Sequence, residues 1–456
     1  MRSCLTFGPS GGDWLIASPV FPHTLTDSIG FFAVLVLARV FHLWILACDA
    51  YYFGIYSDLA RLIRNIFQMR PYARQLSLDL PSGQSAFLWG PRKVGKSTLL
   101  ARRFPDSKRF DLLDTRKLIQ YTREPWTFRQ EVLALPEAQR RRPIIVDEVQ
   151  KAPAILDEVH RLIESEGISF ILCGSSARKL KRGRANLLGG RAWRFHLHPL
   201  SWREIPEFDL MRALNRGLVP AHYDSGAHRR TLDGYLNDYL KEEVFDEGLT
   251  RNAAAFCRFF DALGFSHGEI VNFSSLARDC GVDSKTVKEY FQILDDMLLG
   301  SMIEPYAKRR SRTVITRAPK FYLFDVGVAG HLTGRGIERE QGPDFGRALE
   351  HFILMELLAY RGYSEADFPI RFWRTKSGLE VDFVLGAAGQ VAIEVKGGRV
   401  RQNDFNGLHA YSAEHEPASA LIVCAEPTPR RVGAIDMLPW QAFLEKLWSG
   451  DLTRHL

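Results

Sequence analysis

The stretch SAFLWGPRKVGKSTLLARR, Ser85 to Arg103, reads as a short apolar strand, a glycine-bearing loop and the start of a helix. The loop satisfies G-x-x-x-x-G-K-[ST] through Gly90, Gly95, Lys96 and Ser97, and the flanking strand and helix are the context that pattern requires. In such a loop, here Gly90, Pro91, Arg92, Lys93, Val94 and Gly95, the backbone N–H groups of every residue but Pro91 converge at a helix N-terminus, where the helix dipole adds to the attraction for phosphate. Lys96 is expected to reach the β- and γ-phosphates, Ser97 to ligate Mg²⁺, and Thr98 to complete the loop. The expected ligand is a nucleoside triphosphate with Mg²⁺.

A second carboxylate site follows some fifty residues on. Pro143-Ile144-Ile145-Val146 is a buried-strand run ending in Asp147-Glu148, where Asp147 would complete the Mg²⁺ shell and Glu148 would act as general base on water. A further run, Phe170 to Cys173, ends in Gly174-Ser175-Ser176 and places hydroxyls at the same sheet edge, with Ser175 as a γ-phosphate sensor. Arg191, after Leu187-Leu188-Gly189-Gly190, is a candidate for stabilising transition-state charge across a subunit boundary. It can equally be one more base after Arg178, Lys179, Lys181, Arg182 and Arg184.

Outward from this core, short β-rich runs alternate with helical stretches from Ser85 to about Pro206, which is α/β organisation around a mostly parallel sheet. From about Glu207 to Met302 the pattern turns helical, with Tyr235, Tyr239 and Leu240, then Phe256, Phe259, Phe260 and Leu263, at three and four spacing. From Gly346 onward a helix precedes the strand runs FWRT, LEVDFVL, VAIEVK and ALIVCA, read as a second α/β domain. The expected boundaries are 1–68, 69–205, 206–335 and 336–456.

The chain has 456 residues, a quarter of them charged, with a net charge of +7. That excess permits a polyanionic partner without requiring one. Six cysteines lie far apart with no CxxC pair, which argues against a zinc knuckle and a disulfide framework and fits a reducing cytoplasm. The leader is ambiguous. Ile29 to Cys48 is strongly apolar, but Arg39 and His42 interrupt it. A central Arg costs roughly 2.5–3.5 kcal/mol where each large apolar residue returns only about 0.3–0.6, so membrane contact is disfavoured, though an anchor stays open. Met69 is an alternative start.

The ordered landmarks GPRKVGKST, IIVDEVQKAP, LCGSSARKL, LLGGRAWRFHLHPLSWRE, YLFDVGVAGHL, GLEVDFVL and VAIEVKGG resemble prokaryotic AAA-type ATPases that carry a C-terminal DUF4143 domain, from about Met69 to the end of the chain. The resemblance implies a P-loop ATPase core that binds ATP with Mg²⁺, a winged-helix segment and a restriction-endonuclease-like α/β end domain. It also implies an arginine finger at Arg191, and with it a homo-oligomer.

In the middle, SSLARDCGVDSKTVKEYFQIL reads as two helices about a turn at Gly281, the second capped by Asp283 or Ser284. Lys285, Thr286 and Lys288 would be exposed on that helix, and Lys308, Arg309, Arg310 and Arg312 would form a wing against phosphates, on DNA ahead of RNA. A lid or packing role is the alternative. At the end, Glu350 on a helix, Asp382 in a strand and Glu394-Val395-Lys396 on the next resemble the PD-(D/E)xK nuclease signature. Asp382 and Glu394 would bind Mg²⁺, Glu350 would complete the set and Lys396 would stabilise phosphate charge or position water. Two functions remain: an ATPase driving a winged-helix and nuclease-like assembly on nucleic acid, or a nucleotide-controlled switch whose end domain only binds.

Overall fold

The computed structural model describes residues 72–176, 178, 188–240, 252–307, 318–454 and 456. The apolar stretch Ile29 to Cys48, the alternative start Met69, the bases Lys179, Lys181, Arg182 and Arg184, and the expected wing Lys308 to Arg312 lie outside them. No helix among the described residues is long and apolar enough to cross a membrane.

Five strands, β1 (Ser85–Trp89), β2 (Arg109–Asp111), β3 (Ile144–Asp147), β4 (Phe170–Gly174) and β5 (Ala192–His196), form a sheet in the order β2-β3-β4-β1-β5. Every pairing is parallel, so each connection crosses over and all strand ends that carry loops lie at one edge. The runs SAFLW, IIVD and FILCG are buried throughout, as expected of strands covered on both faces. One face packs Phe87, Phe110, Val146 and Phe170 against helix α2 (Ile155–Glu166) and against Phe128 of the helix Trp126–Leu133. The other packs Leu88, Ile145, Ile171 and Cys173 against Leu100 of helix α1 (Lys96–Arg103). Truncating one of these buried Phe residues to Ala would cost about 3–5 kcal/mol.

The helical middle holds α3 (Ala253–Ser266), α4 (Phe273–Cys280) and α5 (Ser284–Asp296). Helix α4 ends at Gly281, whose φ of 66° is a left-handed cap conformation that glycine adopts without strain. Asp283, not Ser284, caps α5 by accepting from the Thr286 N–H at 2.6 Å. Phe256, Phe259, Tyr290 and Phe291 interlock in the core beneath.

A mixed eight-stranded sheet follows, built from β6 (Gly300–Pro305), β7 (Lys320–Leu323), β8 (Ile370–Arg374), β9 (Glu380–Leu385), β10 (Val391–Lys396), β11 (Ser419–Cys424), β12 (Arg430–Val432) and β13 (Ile435–Pro439). Its order is β12-β13-β11-β10-β9-β8-β6-β7. Strands β6 and β7 come from the middle segment, so the sheet continues across the expected boundary at 335/336, joined through Glu304↔Arg371 and Pro305↔Phe372. Helix α6 (Val326–Leu332) and the 21-residue helix α7 (Pro343–Tyr363) follow β7. Helix α7 packs one face of the sheet, and the helix Asn406–His415 packs the other through Leu408 and Tyr411.

Candidate functional site

The loop after β1 delivers the phosphate-binding residues to the strand-end edge. Gly95 has φ 99° and ends the loop at the first turn of α1; Lys93 is also left-handed, at φ 61°. Pro91 and Val94 are buried, Arg92 is half-buried, and Ser97 and Thr98 are exposed. Lys96 is 6% exposed and its Nζ donates to the carbonyls of Gly90 at 2.7 Å and Pro91 at 3.0 Å. Its ammonium is thus already desolvated and held inside the loop, where an entering phosphate would compete for it.

Asp147 ends β3 beside that loop, and Ser97 Oγ donates to Asp147 Oδ2 at 2.8 Å. The hydroxyl and carboxylate that share a cation in this kind of site are therefore in contact, and both fit Mg²⁺ as oxygen donors. Glu148 follows in a left-handed conformation, φ 57° and ψ 41°, which costs a non-glycine residue about 1–3 kcal/mol. The sequence reading missed Gln150. Its Nε2 donates to Glu148 Oε2 at 2.5 Å and to Ser175 Oγ at 3.0 Å, tying the general-base candidate to the sensor candidate. The signal was a polar residue two positions past the acid in DEVQ.

Ser175 lies at the same edge because β4 is parallel to β1, with Gly174 opposite Trp89. Arg191 lies at the other edge, since Ala192 pairs with Ser85 at the start of β1. Its guanidinium is paired with Glu164 at the surface and is remote from this chain's own loop.

The second cluster lines a cavity of about 390 Å³ that brings together Glu350 on α7, Asp382 on β9, and Glu394 and Lys396 on β10. Lys396 Nζ donates to Glu394 Oε1 at 2.6 Å, as the same-face spacing requires. Asp382 Oδ2 accepts from the Val395 N–H at 2.8 Å. Burial, then repulsion from Glu394 and Glu350, holds the Asp382 carboxyl well above the carboxylate range. Burial also raises Glu394, to about 7, with Lys396 opposing.

Two further groups enter this cavity from β7. Lys320 lies 2.5 Å from Glu380 and 3.4 Å from Glu350, and Tyr322 donates to Glu350 Oε1 at 2.5 Å. Behind them His267 Nε2 and His351 Nδ1 are 3.2 Å apart, and His351 Nε2 lies 2.7 Å from the Leu323 carbonyl. Burial drives both imidazoles down, His351 to about 3. Among the described residues, no group of three or more His, Cys, Asp or Glu side chains is gathered to hold a metal ion.

A parallel sheet in the order 2-3-4-1-5, with a phosphate loop after β1 and Asp147-Glu148 after β3, defines a P-loop nucleoside triphosphatase core. More particularly, residues 82–206 match the AAA domain model and residues 345–443 match the domain of unknown function DUF4143, so the chain carries an AAA domain followed by a DUF4143 domain. Residues 207–339 match another domain of unknown function, DUF8612. Among curated relatives, an uncharacterized protein of Mycobacterium tuberculosis is 27% identical over 349 residues, covering 74% of this chain and 75% of its own length. An uncharacterized protein of Haemophilus influenzae is 23% identical over 331 residues, 66% of this chain and 79% of its own. Among solved structures, the Orc1 protein of Aeropyrum pernix in complex with DNA matches at 14% identity and TM-score 0.22, over 56% of this chain and 87% of its own. A STAND ATPase of Pyrococcus horikoshii matches at 14% and 0.17, over 62% and 47%.

Proposed function

We propose that this protein is a Mg²⁺-dependent ATPase that acts on nucleic acid, DNA ahead of RNA, through a winged-helix middle segment and a PD-(D/E)xK-like end domain. The observation that carries the ATPase part is the contact of Ser97 with Asp147 at 2.8 Å beside the buried Lys96. Ser97 and Asp147 would hold Mg²⁺, which when bound neutralises phosphate charge. Lys96 and the loop amides orient the triphosphate, and Glu148 takes a proton from the attacking water. Gln150 keeps Glu148 in register with Ser175, so occupancy at the sensor and the position of the base are linked.

For nucleic acid, α4, Gly281 and α5 supply two helices about a turn, with Lys285 and Lys288 exposed on the second. Such bases favour phosphate contacts over base reading. In the end domain, Asp382 and Glu394 would hold a divalent cation while Lys396 faces phosphate. The fit rests on Glu394 Oε2, which is buried without a hydrogen-bond partner. A switch whose end domain binds without cutting is the second reading, favoured because Glu350 is engaged by Lys320 and Tyr322. Among the described residues, the free cysteines Cys173, Cys257, Cys280 and Cys424 support a cytoplasmic setting.

One purified preparation, assayed for ATP hydrolysis and for Mg²⁺-dependent cleavage of DNA and RNA, separates these readings. Lys96→Ala should abolish ATP turnover and Asp382→Ala only cleavage. Cleavage that survives Asp382→Ala sinks the nuclease site, and no cleavage of any substrate favours the switch. If Arg191 acts in trans within a homo-oligomer, turnover per chain should rise with protein concentration and fall with Arg191→Ala; a fully active monomer would defeat that role.

A further inference from the structure

The proposed reading leaves a buried lysine with no role. Lys320 sits on β7, in the middle segment, yet its ammonium lies in the cavity of the end domain. Its side chain is 5% exposed, and a buried ammonium is destabilising unless it is well paired. Here Glu380 at 2.5 Å and Glu350 at 3.4 Å are the partners. Tyr322, two residues on and so on the same strand face, fixes Glu350 through its hydroxyl. Phe372 lies under the ammonium at 5.5 Å from the ring centroid. The group is placed from every side, as a bound ion would be.

The other half of the cavity is the reverse. Asp382 and Glu394 are both buried; Lys396 is bonded to Glu394 Oε1, and the charges of Lys320 and Lys396 both reach Asp382 without bonding it. Glu394 lines the cavity, and its Oε2 is buried with no hydrogen-bond partner. A buried carboxylate oxygen left in this way is a group that a cation would satisfy.

We infer that Lys320 is a built-in cation of this site: it permanently fills the Glu350 and Glu380 half, so that the Asp382 and Glu394 half takes a single divalent ion. The inference rests on the reading that Asp382 and Glu394 bind a metal. Two-metal hydrolytic sites hold their ions about 3.5–4 Å apart; here the second place is taken by an ammonium delivered from the preceding segment. Any motion of the β6–β7 hairpin would carry that charge with it.

The test counts Mn²⁺ on the full-length, nucleotide-free protein by calorimetry and by the electron-spin signal of bound ion. All samples carry Asp147→Asn, so that the phosphate loop contributes no metal carboxylate. The parent should bind one Mn²⁺ per chain, and adding Asp382→Asn should bring the count to zero. Lys320→Met should raise it to two, and Lys320→Arg should leave it at one, with circular dichroism showing that each variant is folded. A parent that binds two ions, or a folded Lys320→Met that still binds one with unchanged affinity, overturns the role of Lys320 while the metal reading stands. No Mn²⁺ on the parent and on Lys320→Met alike sinks the metal reading itself. The count on the parent decides the matter even where Lys320→Met does not fold.

Discussion

Arg178 and Asp296 form an ion pair, 10% and 21% exposed, that fastens the segment after β4 to the C-terminal end of α5. Ser176 Oγ donates to the Asp296 carbonyl at 3.5 Å, so the residue next to Ser175 joins the same fastening. Removing one partner of a buried pair leaves the other uncompensated. Asp296→Asn should therefore lower the unfolding free energy by about 1–3 kcal/mol, less than for a fully buried pair because both groups retain some solvent. Urea denaturation measures this. A midpoint equal to wild type would show that the pair holds nothing.

Glu148 is the group whose loss should separate binding from turnover. Glu148→Gln keeps the shape that Gln150 meets but removes the proposed base, so turnover should fall by about 10²-fold or more. ATP affinity, followed with a fluorescent analogue, should be little changed. Gln150→Leu removes the amide that positions Glu148 and should also slow turnover, by a smaller factor. A Glu148→Gln protein that hydrolyses at the wild-type rate assigns the base elsewhere.

Gly217 packs against the carboxylate that organises the YLFDVG landmark. Asp325 Oδ2 accepts from Leu218 and Val219, and Oδ1 from Gly327 and Val328. A Cβ at Gly217 would stand 2.1 Å from Oδ1, on a backbone with φ 83°. Gly217→Ala should destabilise the protein by about 2–3 kcal/mol or prevent its accumulation. Gly226→Ala, where a Cβ meets nothing within 4 Å, should change stability by less than about 0.5 kcal/mol. Thermal melts of the two variants side by side make the comparison.

Glu356 gives the protein a pH dependence of definite sign. It accepts from the Trp202 N–H at 2.7 Å and the Trp448 Nε1–H at 2.8 Å, and burial raises it to about 8, with Glu204 adding to the effect. The folded state keeps a proton that the unfolded chain releases near its ordinary value of 4.5. Its contribution is complete below that value and is lost as pH rises to about 8, by at most about 1.4 kcal/mol per pH unit. The buried His267 and His351, held below their ordinary value of 6.5, act in the opposite sense up to that pH, so it is from about 6.5 to about 8 that melting temperature should fall, and Glu356→Gln should flatten the fall. An equal slope in both proteins would remove Glu356 as its source.

The phosphate loop could be read from sequence because its chemistry is local: the residues from Gly90 to Ser97 act through one turn of backbone between a strand and a helix. Asp147, Glu148 and Ser175 were placed at the same edge by the rule that parallel strands end together, and β3 and β4 do so. Gln150 escaped because its meaning lies in Ser175, twenty-five positions away. Lys320 escaped for the same reason. In KFYL it heads a strand, and only tertiary pairing with Glu350 and Glu380 makes its burial tolerable. The continuity of β6 and β8 rests on two residue pairs, too short a contact to leave a pattern in the chain.

Helix α7 carries Glu350 in its N-terminal half and Tyr363 as its last residue. The Tyr363 hydroxyl accepts from Arg74 at 3.2 Å, and Arg74 donates in turn to the carbonyl of Val94 in the phosphate loop at 2.6 Å. Roughly 20 Å of unbroken helix therefore separates the carboxylate site from the back of the loop. One residue inserted between Glu350 and Tyr363 would turn the two ends by about 100° relative to each other. The helix thus acts as a gauge whose length and phase are both set, and the two chemistries cannot drift apart in sequence length without one of them losing its place.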